Sequence, residues 1–159
     1  MSVLPEKTHR QDAKTPRKDL DPAEERLASS IVDAAIKVHA ALGPGLLESV
    51  YETCMAHELE QRGHHVKRQV VLPIHYGTLK LDAGLRLDLV VDDLAVLELK
   101  SVACLLPVHH AQLLTYLKLS GLRLGFLLNF NVPLMREGVV RKILQKGAPG
   151  LPGPLAGLV

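Results

Sequence analysis

The chain of 159 residues contains no tryptophan, three tyrosines and two phenylalanines. A surface of stacked aromatic rings, the usual platform for single-stranded nucleic acid, is therefore thinly supplied. A polyanionic partner would have to be held through its phosphates and its shape, with strong salt dependence. There are two cysteines, Cys54 and Cys104, far apart in sequence. They could pair, but free thiols in a reducing cytosol are the simpler reading, and two cannot supply the four thiolates of an ordinary iron–sulfur cluster. No apolar run approaches the roughly 20 residues of a membrane helix. The opening MSVLPEKTHRQDAK lacks the apolar stretch of a secretory signal, so a cytoplasmic location with no membrane partner is expected. An excess of charge is also missing, since the formal net charge is +2. That neither demands nor excludes nucleic acid, because a local groove can be basic when the total is not.

What remains is an ordinary soluble composition, 47% hydrophobic and 23% charged, long enough for one domain with a core. Residues 1–20 are polar and aperiodic and read as a disordered arm. Residues 147–159, GAPGLPGPLAGLV, read as a flexible Gly/Pro-rich tail. Residues 21–146 form the folded domain. It opens with Asp21-Pro22-Ala23-Glu24, an N-cap, a first-turn proline and an acid three residues after the cap. Leu27, Ile31, Ala34, Ala35 and Val38 follow at helical spacing until Gly43-Pro44-Gly45. A second helix is expected from about Leu46 to Arg62, with Leu47, Val50, Tyr51 and Leu59 on its apolar side and Gly63 ending it.

The period then drops to two. Residues 66–76 read as a strand that Pro73 marks as an edge or a bulge, and 79–91 as a second strand interrupted near Gly84. Residues 94–101 make a third. Pro107 starts a helix stopped by Gly121, 122–130 read as a strand buried on both faces, and 138–144 as a last strand. The order ααβββαβ(β) implies an α/β domain with a mixed central sheet flanked by helices.

Inside this pattern, RLDLVVDDLAVLELK (86–100) raises a chemical question. Asp88, Glu98 and Lys100 lie within apolar strands, where charge is costly. Alternation places Glu98 and Lys100 on one face of their strand, and Asp88 with Arg86 and Val90 on one face of the strand before. The turn at Asp92-Asp93 is hairpin-short, so the strands pair and the two carboxylates converge. Convergent carboxylates repel unless positive charge lies between them, and a hard divalent cation with oxygen ligands is one solution. A lysine two residues from Glu98 can orient an attacking water or stabilise developing negative charge. The alternative is an Asp88–Lys100 ion pair with Glu98 on a solvated face, and spacing alone leaves both open.

Further motifs bear on the choice. Gly45-Leu-Leu-Glu48-Ser-Val-Tyr51, Leu87-Asp88-Leu-Val-Val, Leu97-Glu98-Leu99-Lys100, Gln112-Leu-Leu-Thr-Tyr116 and Gly125–Asn131 follow in order between about residues 25 and 145. Together they resemble the GxxExxY family of the PD-(D/E)XK nuclease superfamily, with motifs like those of its RecB-type members. Leu85 departs from the pattern, standing where an aromatic residue is expected before the first acid.

The resemblance implies a restriction-endonuclease-like core and a nuclease that uses Mg2+ or Mn2+. It implies Asp88, Glu98 and the Leu99 backbone carbonyl as metal ligands, with Glu48 acting through water. Lys100 would position the water, and Gln112 and Tyr116 would face the site from one side of their helix. Nucleic acid is the implied partner, DNA favoured over RNA. A homodimer and docking to a larger complex through the termini are compatible with a domain this small. Two other functions suit the same fold: a binding module for nucleic acid or protein without turnover, and a hydrolase of a small phosphate ester or nucleotide. Among the supporting residues, Tyr51 reads as core with a bonded hydroxyl, and His39 as a core hydrogen-bonder or a neighbour of Glu48. His109 and His110 are adjacent and do not share a helix face, so they read as surface rather than as a metal pair.

Overall fold

The computed structural model describes residues 20–146. The expected arm and tail therefore lie outside the described residues, except Leu20, which packs against the core. Helix α1, Pro22–Leu42, starts as the sequence dictates. The Asp21 carboxylate accepts from the Ala23 and Glu24 N–H groups, and Glu24 Oε2 accepts from the Asp21 N–H at 2.9 Å. Leu27, Ile31, Ala34, Ala35 and Val38 are all buried. Gly43, at φ 72°, ends the helix in a conformation that favours glycine.

Helix α2 is shorter than expected, Glu48–Gln61, and its apolar side differs. Tyr51, Met55 and Leu59 are buried at four-residue spacing, whereas Leu47 is 73% and Val50 37% exposed. Leu47 is extended and serves as an N-cap with no side-chain hydrogen bond to give. The helix starts late because Tyr51 takes over the preceding loop. Its hydroxyl donates to the Gly43 carbonyl at 2.6 Å and accepts from the Leu46 N–H at 3.1 Å. Its ring stacks on Phe130 at 4.4 Å.

The sheet has five strands in chain order: β1 Val66–Tyr76, β2 Leu79–Val91, β3 Ala95–Lys100, β4 Leu124–Asn129 and β5 Val139–Ile143. β3 and β4 are parallel, joined over one face by α3, Pro107–Ser120, while the other pairs are antiparallel. This is the expected mixed α/β sheet flanked by helices. Leu97, Leu99, Phe126 and Leu128 face α1 and α2, and Val96 and Leu127 face α3. Each such fully buried aliphatic side chain contributes about 1.5–3 kcal/mol.

Pro73 makes the expected bulge, a register shift between Leu72 and Ile74. β2 nevertheless runs unbroken through Gly84, because a Cβ there would lie 2.6 Å from Ile74 Cγ1 and the glycine lets that side chain cross. Beyond the bulge the β1–β2 ribbon carries its side chains largely in the open, with Tyr76 81% and Leu79 54% exposed.

A 3-10 turn, Met135–Gly138, feeds β5. At Gly138 a Cβ would collide with the backbone carbonyl oxygen of Asn129, which cannot move aside without breaking β4. Gly138→Ala is therefore expected to cost about 3 kcal/mol, at the upper end for overpacking. Urea unfolding measures it, and a loss below about 0.5 kcal/mol would show that the turn relaxes freely.

Candidate active site

The β2–β3 hairpin closes through Asp92 and Asp93 at φ 53° and 51°, with the Leu94 N–H on the Val91 carbonyl at 3.0 Å. Aspartate tolerates this left-handed turn, and the turn fixes the register. Asp92 is further tied by the His65 N–H at 2.8 Å and by His64 Nδ1 at 2.7 Å. The register pairs Ala95 with Val91, Val96 with Val90 and Leu97 with Leu89, and there the ladder stops.

Beyond that point the strands fork, and carboxylates take the place of carbonyls. The Asp88 N–H donates to Glu98 Oε1 at 3.3 Å, and the Leu99 N–H donates to Asp88 Oδ2 at 2.9 Å. The two acids thus meet at the fork because the hairpin register sets Asp88 opposite Glu98, although β2 does not keep the expected alternation, since Leu87 packs towards α3 and Leu89 under α1 and α2. Glu98 is 4% exposed, so it does not lie on a solvated face. No Asp88–Lys100 ion pair occurs among the described residues.

The electrostatics follow from burial. The Glu98 carboxyl is pushed up to about 8, first by loss of water and then by the Asp88 charge, with Lys100 pulling the other way. Asp88 is raised by burial, against the Leu99 N–H that favours its ionised form, and the Glu52 charge adds to the rise. Tyr116 is raised by burial and by the charge of Glu98. Its hydroxyl accepts from Gln112 Nε2 at 2.6 Å, so this i, i+4 pair on α3 acts as one unit beside the acids.

Glu48 begins α2 and accepts from the Ser101 N–H at 3.3 Å, one residue past Lys100. Ser101 Oγ donates to the Leu46 carbonyl at 2.7 Å. The Asn129 amide grips the same loop from β4: Oδ1 accepts from the Val102 N–H and Nδ2 donates to the Val102 carbonyl. A cleft of about 580 Å3 opens here, lined by Leu47, Glu48, Glu52, Gln69, Asp88 and Ser101 among others.

His39 lies elsewhere: its Nε2 bonds to the Val132 carbonyl at 2.7 Å and its ring lies beside Phe130, the core role rather than a neighbour of Glu48. His109 Nδ1 accepts from the Leu106 N–H and so closes the start of α3. Both cysteines are free thiols. Four basic residues, Lys67, Arg68, Arg123 and Arg141, are engaged by Asp93, Glu52, Glu24 and Glu25.

Two residues of the site lie outside the sequence motifs. Glu52 is 8% exposed and accepts from Arg68 Nε at 3.2 Å and Gln69 Nε2 at 2.7 Å. Its signal was its place four residues after Glu48, one helical turn along the same face. Gln69 carried no signal, because nothing in a strand pattern marks a glutamine as part of an acidic site.

The donors suit a hard cation. Two carboxylates repel one another in a buried fork, and the Leu99 carbonyl leaves β3 on the same edge as the N–H that reaches Asp88. The Lys100 carbonyl, by contrast, is taken by the Phe130 N–H at 2.9 Å. Among the described residues no three His, Cys, Asp or Glu side chains are grouped to hold an ion, so backbone and water oxygens would complete the shell.

The family model of the PD-(D/E)XK nuclease superfamily matches residues 25–142. The chain belongs to that superfamily. No curated protein and no solved structure gives a match. Among the described residues no helix is long and apolar enough to cross a membrane.

Proposed function

We propose that the chain is a divalent-metal-dependent nuclease of the GxxExxY type that hydrolyses phosphodiester bonds, DNA in preference to RNA. One observation carries the reading: two carboxylates, one of them 4% exposed, are held against each other at the end of a strand pair with a lysine beside them. A structural cluster gains little from such an arrangement, since burying like charges costs stability. A Mg2+ or Mn2+ ion held by Asp88, Glu98 and the Leu99 carbonyl, with Glu48 through water, would supply positive charge to the phosphate and make a water more acidic.

The chain's own groups complete the chemistry. Lys100, fixed by β3, orients the attacking water and stabilises charge growing on the phosphorus oxygens. The Tyr116 hydroxyl holds the Gln112 amide in place. Gln112 can then hydrogen-bond the attacking water or a phosphate oxygen. With few aromatic rings, substrate grip falls to phosphate contacts.

The test is a Mg2+ and Mn2+ titration with labelled linear and circular, single- and double-stranded DNA and with RNA. Cleavage that appears with metal and vanishes in EDTA is the expected result. Turnover of nucleotides but of no polymer would replace the reading with a small phosphate-ester hydrolase. Binding of polymer without turnover under any metal would replace it with a binding module.

A further inference from the structure

We propose that Gln69 is a positioning residue: its strained backbone fixes the Glu52 carboxylate in the cleft that Asp88 also lines and so strengthens the site's hold on a divalent cation. This rests on the nuclease reading for its purpose but not for its test.

Gln69 has φ 50°, a left-handed conformation that residues with a Cβ rarely adopt. The strain has a place in the sheet. β1 pairs Arg68 with Leu89 and Val70 with Leu87, and the rung between, Gln69 opposite Asp88, is skipped. The alternation of faces also changes there. Leu89 and Val91 pack under α1 and α2, whereas Leu85 and Leu87, of the same parity, pack towards α3. Distortions of this kind beside active sites re-aim a side chain.

Here the re-aimed side chain is the Gln69 amide, which donates to Glu52 Oε2 at 2.7 Å, while Arg68 Nε donates to Oε1 at 3.2 Å. Both oxygens of a buried carboxylate are thus fixed. Arg68 is itself steadied by Thr53 Oγ1 at 2.9 Å, one residue along α2. Glu52, Gln69 and Asp88 line the same cleft with Glu48. A fixed negative charge beside a two-carboxylate site raises its affinity for a cation, since affinity follows charge count and rigidity. Groups that orient ligands in this way are typically worth about 10- to 100-fold in metal affinity.

The variant Gln69→Gly separates the device from a plain strand bulge. Glycine adopts φ 50° without strain, so the fold loses nothing at the backbone while Glu52 loses its donor. Gln69→Asn is a second variant: asparagine tolerates the same conformation, but its amide is too short to reach Glu52. Calorimetric titration of Mn2+ into the full chain is the readout, with the melting temperature measured alongside.

We expect both variants to bind Mn2+ about tenfold more weakly, with Gln69→Gly melting no lower than wild type. Glu52→Gln, which keeps the shape and removes the charge, should weaken binding similarly. Wild-type Mn2+ affinity in Gln69→Gly and Gln69→Asn would overturn the proposal, whether or not the protein cleaves nucleic acid. Weakened binding in a protein that cleaves nothing would support it while removing the nuclease reading. No Mn2+ uptake by wild type would overturn both.

Discussion

Glu98→Gln is expected to lower metal-dependent cleavage by about 10³-fold, the size of loss seen when a charge-stabilising group leaves an active site. Glutamine keeps the volume and an oxygen to accept from the Asp88 N–H, so the hydrogen bond at the fork survives. What goes is one of the two charges that would hold a cation. Lys100→Ala should produce a comparable loss in rate while Mn2+ binding persists, because the role proposed for it is with the water and the phosphate. Lys100→Arg should not rescue it, since a planar guanidinium does not replace a compact ammonium. The measurement is single-turnover cleavage of labelled DNA with Mg2+ varied. Cleavage by Glu98→Gln at the wild-type rate would remove the fork from the chemistry.

The second large effect is on stability, and its sign opposes the first. In the metal-free protein the Glu98 carboxyl titrates at about 8, against an ordinary value of 4.5. The native state therefore keeps a proton that the unfolded chain gives up. The stability linked to that proton is fully present below about pH 4.5 and is lost as pH rises through about 8. The loss is on the order of 5 kcal/mol. Asp88 is raised as well and acts in the same direction.

Urea unfolding in EDTA across pH 5 to 9 should show stability falling with pH in wild type. The slope should be much smaller in Glu98→Gln, which ought to be the more stable protein above pH 7. Saturating Mn2+ should flatten the wild-type curve, because a ligand that binds only the folded, ionised site offsets the repulsion. Wild-type stability that does not change with pH would mean that the two carboxylates are solvated at the fork. Together the two expected outcomes would describe a site that lowers stability for the sake of function.

Much of this was legible before the fold was known, because its causes are local. Alternation along 95–100 put Glu98 and Lys100 on one face, and the Asp92-Asp93 turn set the register that brings Asp88 to Glu98, although the faces of β2 change over at Asp88. Pro73 announced its bulge through the missing N–H, and Asp21 with Glu24 announced a capped helix. The misreadings came from packing at a distance. Gly84 was expected to break β2, but it is a glycine so that Ile74 can cross it. Leu47 and Val50 were expected in the core, yet Tyr51 bonds the preceding loop and leaves both at the surface. Gln69 gave no sign of its role, and its bond to Glu52 became visible only when α2 met β1. Residues 1–19 and 147–159 lie outside the described residues.

The fork has one more consequence. Two N–H groups of the sheet, those of Asp88 and Leu99, are bonded to side chains of the facing strand instead of to its backbone. The acids that would grip a cation are thus also the last two rungs between β2 and β3. Whatever draws on those oxygens would loosen or tighten the strands themselves, so a bound cation would be written into the breathing of the sheet. The exchange of those two amide hydrogens with solvent would report it, from the backbone outward, without any substrate present.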